Sequence, residues 1–452
     1  MRLAANFALR RESAIVRLLF FLAPLITLIA PLTTVPVLVV LSAGCIALAL
    51  LNGAKLTELF RFDLALGLLA LATLYLVINA TWSLDPSHAF GKAAWFALVV
   101  LFAFSACRAV SLFDESQTKL AAGAFLVGLS SGLVFILVEL LTDRALTRFL
   151  YNVLPFTRPG PKNLILSEGQ VIHISAFELD QNVAVLLLLL WPGLLAMRKL
   201  TARLWPALLS VGTAAAILLS THQTSKIALG VSVLTFLFAL AWPILTRRGV
   251  VAAWLLAFVL AVPLASLAYQ ASLHQAEWLP YSARARIVLW GYTAEKIPET
   301  PLLGIGLGST RKLHAKIKDE PGGTTIADTL DPGQTFVWGK GPHAHNGFLQ
   351  AWYELGAVGA GLLLAAGLGV LWSIARLPAA AQAYVLAQFA AYLVIAAFAW
   401  GIWQSWLMAM TGLAPIYAMM ASRLVELPVE REQGVSYTRT GKPTTTAAKR
   451  PA

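Results

Sequence analysis

The chain of 452 residues is short of charge. Asp, Glu, Lys and Arg make up 12% of it while 58% is hydrophobic, against roughly a quarter charged in soluble domains. A water-soluble core of this size has no place for that surplus of apolar side chains. Cysteine is nearly absent: Cys45 and Cys107 are the two copies, both in or at the end of apolar runs. That rules out a disulfide framework and a cysteine-based metal site, and both are expected to be free thiols. Alternation of apolar and polar residues is also missing, because the apolar runs are continuous, which argues against a β-barrel. Acidic residues are outnumbered by basic ones, 22 to 34, for a net charge of +12. In a soluble protein that would suggest nucleic acid. In a chain this apolar it fits Lys and Arg gathered on the cytoplasmic side of a membrane.

What is present is a series of apolar runs, many long enough to cross a hydrocarbon layer of roughly 30 Å. The fold class expected is an all-α polytopic membrane protein of about 12 spans, at 14–32, 34–51, 63–80, 93–108, 120–142, 181–197, 205–221, 226–245, 250–269, 348–374, 378–399 and 403–422. Arg2, Arg10, Arg11 and Arg17 surround the start of the first run, which leads into the second without a convincing cleavage site. It is therefore expected to stay in place as a span. Basic residues then mark every second connection: Lys55 and Arg61, Arg108 and Lys119, Arg198 to Arg203, Arg247 and Arg248, Arg376, and the tail from Arg423. The connections near Thr33, Ser87 and Gly401 are poor in them. The positive-inside rule puts both termini in the cytoplasm. A membrane domain over 1–427 with long outer loops at 143–180 and 270–347 is expected, followed by a disordered cytoplasmic tail at 428–452 rich in Thr, Lys, Arg and Pro.

The outer loops carry the candidate chemistry. Pro342-His343-Ala344-His345-Asn346 sits where the later loop enters the tenth span. Asn346 suits the cap of that helix. His345 at its positive end would stay neutral and able to accept a proton. Gly356 follows eleven residues on, close to three helical turns, so the two would share a face; Gly356 and Gly359 would let a neighbouring helix approach. Two plainer readings stay open: histidines that only anchor a helix end, and a His-x-His metal pair that lacks further ligands. Upstream, Arg284, Arg286, Ile287, Trp290, Ala294 and Ile297 outline an amphipathic helix on the membrane surface. Its arginines suit either headgroups or forked phosphate recognition. Gly304, Gly306 and Gly308 form a run that could present N–H groups to phosphate or simply make a tight turn. Arg158, Asn182 and Lys226 bring further polar groups to the same side. Each of those three equally fits a cap or a snorkelling cation.

These residues resemble the O-antigen ligase and polymerase superfamily of bacterial envelope glycan enzymes. The family pattern is similar to Arg286 with Trp290, then Pro301 to Gly308, then His345-Asn346, then Gly356 and Gly359. The spacing of His-Asn to the paired glycines resembles the ligase branch. Asn182 and Ser225-Lys226 match two earlier positions more loosely, an Arg being commoner where Lys226 stands. The acidic residue that some ligases carry in a late outer loop has no counterpart near Gly401, and His343 is an additional histidine. The resemblance implies a fold similar to C-type membrane glycosyltransferases and an inner-membrane enzyme working at the periplasmic face without metal, ATP or other cofactor. It implies transfer of an undecaprenyl-diphosphate-linked O-antigen to a sugar hydroxyl of lipid A–core. His345 or His343 would take the hydroxyl proton, worth roughly 10²–10⁴-fold. Arg286, Arg284, Arg158 and Lys226 would stabilise the departing diphosphate at roughly 1.5–3 kcal/mol per charged hydrogen bond. An O-antigen polymerase and a protein O-oligosaccharyltransferase share the pattern. A transporter fits less well, since the spans hold few charges and no clear inverted repeat.

Overall fold

The computed structural model describes residues 2–158, 164–313 and 343–427. The expected tail at 428–452 and the part of the later loop at 314–342 lie outside the described residues. The protein is an all-α multi-pass membrane protein. Among the described residues nine helices are long and apolar enough to cross a membrane, and ten if one bent pair counts as a single span. Two shorter apolar helices, Ser13–Ile29 and Leu204–Leu219, bring every one of the twelve expected segments onto helix. Length and composition alone do not raise those two to spans.

In chain order the helices are α1 (Arg2–Ile29), α2 (Thr34–Leu51), α3 (Leu64–Asn79), α4 (Pro86–Ser111) and α5 (Glu115–Leu141). Then come α6 (Ala145–Val153), α7 (Asp180–Leu200), α8 (Leu204–Leu219), α9 (Gln223–Ala241), α10 (Pro243–Val259) and α11 (Ala261–Gln270). The last four are α12 (Tyr281–Lys296), α13 (Gly347–Ile374), α14 (Ala379–Phe398) and α15 (Ser405–Glu426). A hairpin of β1 (Leu164–Ser167) and β2 (Gln170–Ile174) follows α6, turning at Glu168 and Gly169, both with positive φ. Helix starts are written in the sequence: Asp63, Asp85 and Asp114 each accept the backbone N–H three residues on. Such caps satisfy donors that the first turn leaves without a partner.

Helix α7 runs through the middle of the bundle. Val183 to Leu190 are each at most 3% exposed, as expected of a helix that is apolar all round. The outer sides of α8, α9 and α10 instead expose Leu208, Val211, Leu234 and Leu256. The expected single span at 250–269 is replaced by α10 and α11, which meet at 60°. Pro263 lacks the N–H that would bond the Val259 carbonyl, and the helix breaks there. Both cysteines are free, Cys45 buried and Cys107 half-buried.

Helix α12 differs from the expected surface helix. Ala285, Ile287, Val288, Leu289, Gly291, Thr293 and Ala294 are all buried, so more than one of its sides is covered. Tyr269 of α11 lies where a side chain at Gly291 would go, and Ala294 and Ile297 pack with Ala344, Leu349 and Tyr353 at the start of α13. The helix is part of the protein's packed wall and carries Arg286 with it.

Candidate active site

The site is built around the four residues that precede α13. Asn346 caps the helix, its Oδ1 accepting from the backbone N–H groups of Phe348 and Leu349 at 3.0 Å each. His345, just before the cap, has φ +52°, a left-handed conformation that non-glycine residues adopt at some cost. Three contacts hold it there. The His345 ring donates from Nδ1 to the Ala399 carbonyl at 2.7 Å. Its backbone N–H reaches Nδ1 of His343 at 3.3 Å. Trp290 of α12 donates from Nε1 to the Ala344 carbonyl at 2.9 Å.

These contacts separate the two histidines. A carbonyl can only accept, so Nδ1 of His345 carries the proton and Nε2 of the neutral ring is left as a lone-pair acceptor. No group among the described residues occupies that Nε2. His343 faces protein at both ring nitrogens, Nδ1 lying 3.3 Å from the His345 backbone nitrogen and Nε2 3.1 Å from the Gln404 amide nitrogen; both neighbours are N–H donors and a neutral ring has one lone-pair nitrogen, so it accepts from one of the two. Gln404 is held in turn by Trp406, whose Nε1 donates to Gln404 Oε1 at 2.8 Å. Burial pushes the His343 ring down to about 3, with the neighbouring His345 adding to the shift. Burial also lowers His345; the Ala399 carbonyl opposes this and the charge of Arg286 reinforces it. Both rings are thus neutral around pH 7. Their centres are 4.3 Å apart and tilted by 57°, and with Nδ1 engaged on each they do not offer one metal ion an open pair. Among the described residues no group of three His, Cys, Asp or Glu has metal-site geometry.

Arg286 gathers the rest of the site. Its half-buried guanidinium interacts electrostatically with Asp180 at the start of α7, with His222 ahead of α9, and with His345. Burial lowers its pKa, and Asp180 pulls it back up. Lys226 also acts on Asp180, so two cations flank one carboxylate. Thr221 donates to Asp180 Oδ1 at 3.1 Å. His222 is buried, shares a 2.6 Å hydrogen bond between Nδ1 and Ser225 Oγ, and packs on Trp400 with ring centres 4.6 Å apart. Burial first, then Arg286, pushes His222 down to about 3.

Other residues picked from the sequence sit elsewhere. Arg284 is two positions from Arg286 on α12, about 200° around the helix, so the two do not face one substrate together. Arg158 donates to the carbonyls of Tyr151 at 2.8 Å and Gly169 at 3.1 Å, which ties it to its own loop. Asn182 donates to the carbonyls of Leu28 at 2.7 Å and Ile29 at 3.2 Å, fastening α7 to the end of α1.

The glycine run has a different task from phosphate binding. Five consecutive amides, 304 to 308, all have protein acceptors: the carbonyls of Thr300, Tyr353 and Glu354, Asn79 Oδ1, and Glu354 Oε2. The N–H groups of Ala357 and Val358 return bonds to Pro301 and Leu302. The run is laid against a break in α13 at Gly356, where φ is +64° and ψ is −170°. A side chain at Gly356 would stand 2.3 Å from the Leu302 carbonyl oxygen, and one at Gly304 would stand 2.4 Å from the Glu354 carbonyl. Gly306 lies against Ser83, Gly308 against His88, and Gly359 against Tyr75. The break means that His345 and Gly356 do not share one continuous helical face.

Glu354 is the residue that sequence reasoning missed. It is wholly buried inside α13 and accepts from Gly308 N at 2.9 Å, Gln350 at 3.3 Å, Trp403 Nε1 at 2.5 Å and the Thr310 hydroxyl. Its carboxylate joins the glycine run to the 399–404 connection. A lone ionisable residue inside an apolar span was the available signal.

Comparison with known proteins finds two similarities. Residues 208–364 match the family model described as O-antigen ligase. A Rickettsia conorii protein named as a polysaccharide ligase is 33% identical over 127 residues, 28% of this chain and 28% of that protein. The aligned stretch is thus well under half of the relative's length. The family segment contains Lys226, Arg286, the glycine run and His345, and over that stretch, about a third of its length, the chain is similar to the O-antigen ligase family.

Proposed function

We propose that this protein is a membrane-embedded glycosyltransferase that moves a polysaccharide from an undecaprenyl-diphosphate carrier to a sugar hydroxyl of lipid A–core at the periplasmic face. The observation that carries this reading is His345: a neutral ring, fixed at Nδ1 by Ala399, with no partner at Nε2 among the described residues and the charge of Arg286 acting on it. In the proposed reaction the acceptor oxygen attacks the anomeric carbon and its proton passes to Nε2. The bond from that carbon to the diphosphate oxygen breaks, and the electron pair leaves with the diphosphate. Arg286 and Lys226 meet the charge that gathers there, in a low-dielectric setting that strengthens the interaction. The donor is already activated, so transfer needs neither metal nor nucleotide. His343 is proposed as a positioning residue, because both its nitrogens face protein. The termini are proposed to be cytoplasmic, from the distribution of Lys and Arg.

The test is reconstitution of the purified protein with lipid-linked glycan and lipid A–core. Glycan attached to lipid A–core supports the reading. Lengthened lipid-linked glycan with no attachment replaces it with a polymerase, and attachment to neither acceptor overturns glycosyl transfer to these lipids.

A further inference from the structure

A second feature of the molecule has no part in this chemistry. Helix α6 begins four residues after α5 ends. The turn between them is sharp, with positive φ at Asp143 and Arg144. Glu139, wholly buried in the last turn of α5, accepts from the N–H groups of Leu146 at 2.9 Å and Thr147 at 3.2 Å. A side chain of a spanning helix thus caps the next helix. That holds the start of α6 level with the end of a candidate span, and α6 has no room to stand away from it.

The two sides of α6 differ. Its polar side is covered by the β1–β2 hairpin. Arg148 donates to the Ile172 carbonyl at 3.1 Å, and Asn152 exchanges two hydrogen bonds with Val171, at 2.7 and 3.2 Å. Its other side shows Leu146, Phe149, Leu150 and Val153, with Phe156 just beyond. The spacing i, i+3, i+4, i+7 places the four on one face. Phe149 is 69% exposed and Phe156 83%. Exposed apolar surface of this kind also runs along α5 at Val127, Val134 and Leu141, seven residues or about two turns apart. That stripe ends at the residue from which the turn to α6 departs.

We infer that α6 and its hairpin form an interfacial foot, with the Leu146–Phe149–Leu150–Val153 face sunk into the leaflet at the end of α5. The occupant of this face is lipid acyl chain. The reason is continuity: the face carries on the lipid-facing stripe of α5 and is fastened to it through Glu139. An amphipathic helix in this setting buries its apolar face at the boundary of headgroups and chains. Arg148 on the other side then lies where anionic headgroups are found.

The test is the depth of a nitroxide label in the full chain, reconstituted in phosphatidylglycerol–phosphatidylethanolamine vesicles. Phe149→Cys and Leu150→Cys are labelled separately in protein whose Cys45 and Cys107 are replaced by alanine. Access to oxygen exceeding access to a water-soluble nickel chelate at both sites is the expected result. The reverse order puts the face in water and overturns the inference. Protection from both probes also overturns it, because the face would then be covered by protein. None of these readings depends on whether the protein transfers glycan.

Discussion

Replacing His345 isolates the chemical step from the scaffold. The structure gives this ring one fixed bond, Nδ1 to the Ala399 carbonyl, and one nitrogen with no partner among the described residues. Removing a positioned general base costs roughly 10²–10⁴-fold, which is about 2.7–5.5 kcal/mol of barrier. His345→Ala and His345→Gln should both lose rate on that scale, since neither can accept the proton. His343→Ala should behave differently. It removes one buried hydrogen bond at about 1 kcal/mol, which loosens the residues ahead of α13 without deleting the proton acceptor, and at most about tenfold should go. The assay is single-turnover transfer in detergent or vesicles with saturating lipid-linked donor, each variant first checked for folding by thermal melting. The pH profile adds a second reading. The His345 pKa is lowered from the ordinary histidine value of 6.5, and the active form is the deprotonated one. The rate should therefore stay flat as pH falls through 6.5 and drop only below it. The reasoning is refuted if His345→Gln keeps wild-type rate to within about tenfold, or if the acid limb of the profile has its midpoint above the ordinary value.

Three further contacts set expected outcomes. Glu354→Leu leaves the donors of Gly308, Gln350, Trp403 and Thr310 without an acceptor; at about 1–3 kcal/mol per unsatisfied donor the melting temperature in detergent should fall sharply, and an unchanged value would remove Glu354 from the role of joint. Gly356→Ala forces a Cβ to 2.3 Å from the Leu302 oxygen at φ +64°, so about 1–3 kcal/mol of backbone cost alone should appear as a lower denaturation midpoint. Arg286→Lys keeps the charge but loses the fork that fits phosphate; donor turnover should fall at least about tenfold, as for one lost charged hydrogen bond, and full turnover would take Arg286 out of the leaving-group role.

The spans were legible because apolar length is a one-dimensional signal, and the cap at Asn346 because its chemistry is local. The weight of His345 over His343 was not. It rests on Ala399 and Gln404, 54 and 61 residues away, and nothing at either position marks a partner for a ring nitrogen. The glycine run was legible as a turn, but its partner was hidden. The acceptors for its amides are carbonyls at a helix break and the Glu354 carboxylate, which only tertiary structure brings together. The surface helix expected from Arg284 onward rests on the spacing of Ile287, Trp290, Ala294 and Ile297. Those residues do face inward, yet Val288, Leu289 and Gly291 on other sides are buried as well. The helix with a clean apolar face is α6, nine residues long and too brief to stand out among much longer runs.

The connection 399–404 also bears on the order in which the protein becomes competent. A membrane chain is threaded into the bilayer from its N-terminus, and His345 arrives well before the carbonyl that fixes its ring. A chain halted before residue 399 would hold the histidine, Arg286 and the glycine run, but neither Ala399, Trp403 nor Gln404. These contacts are therefore completed only when the 399–404 connection folds back onto the start of α13 and the residues ahead of it. In a nascent or truncated chain the His345 ring has no Ala399 carbonyl to fix its Nδ1.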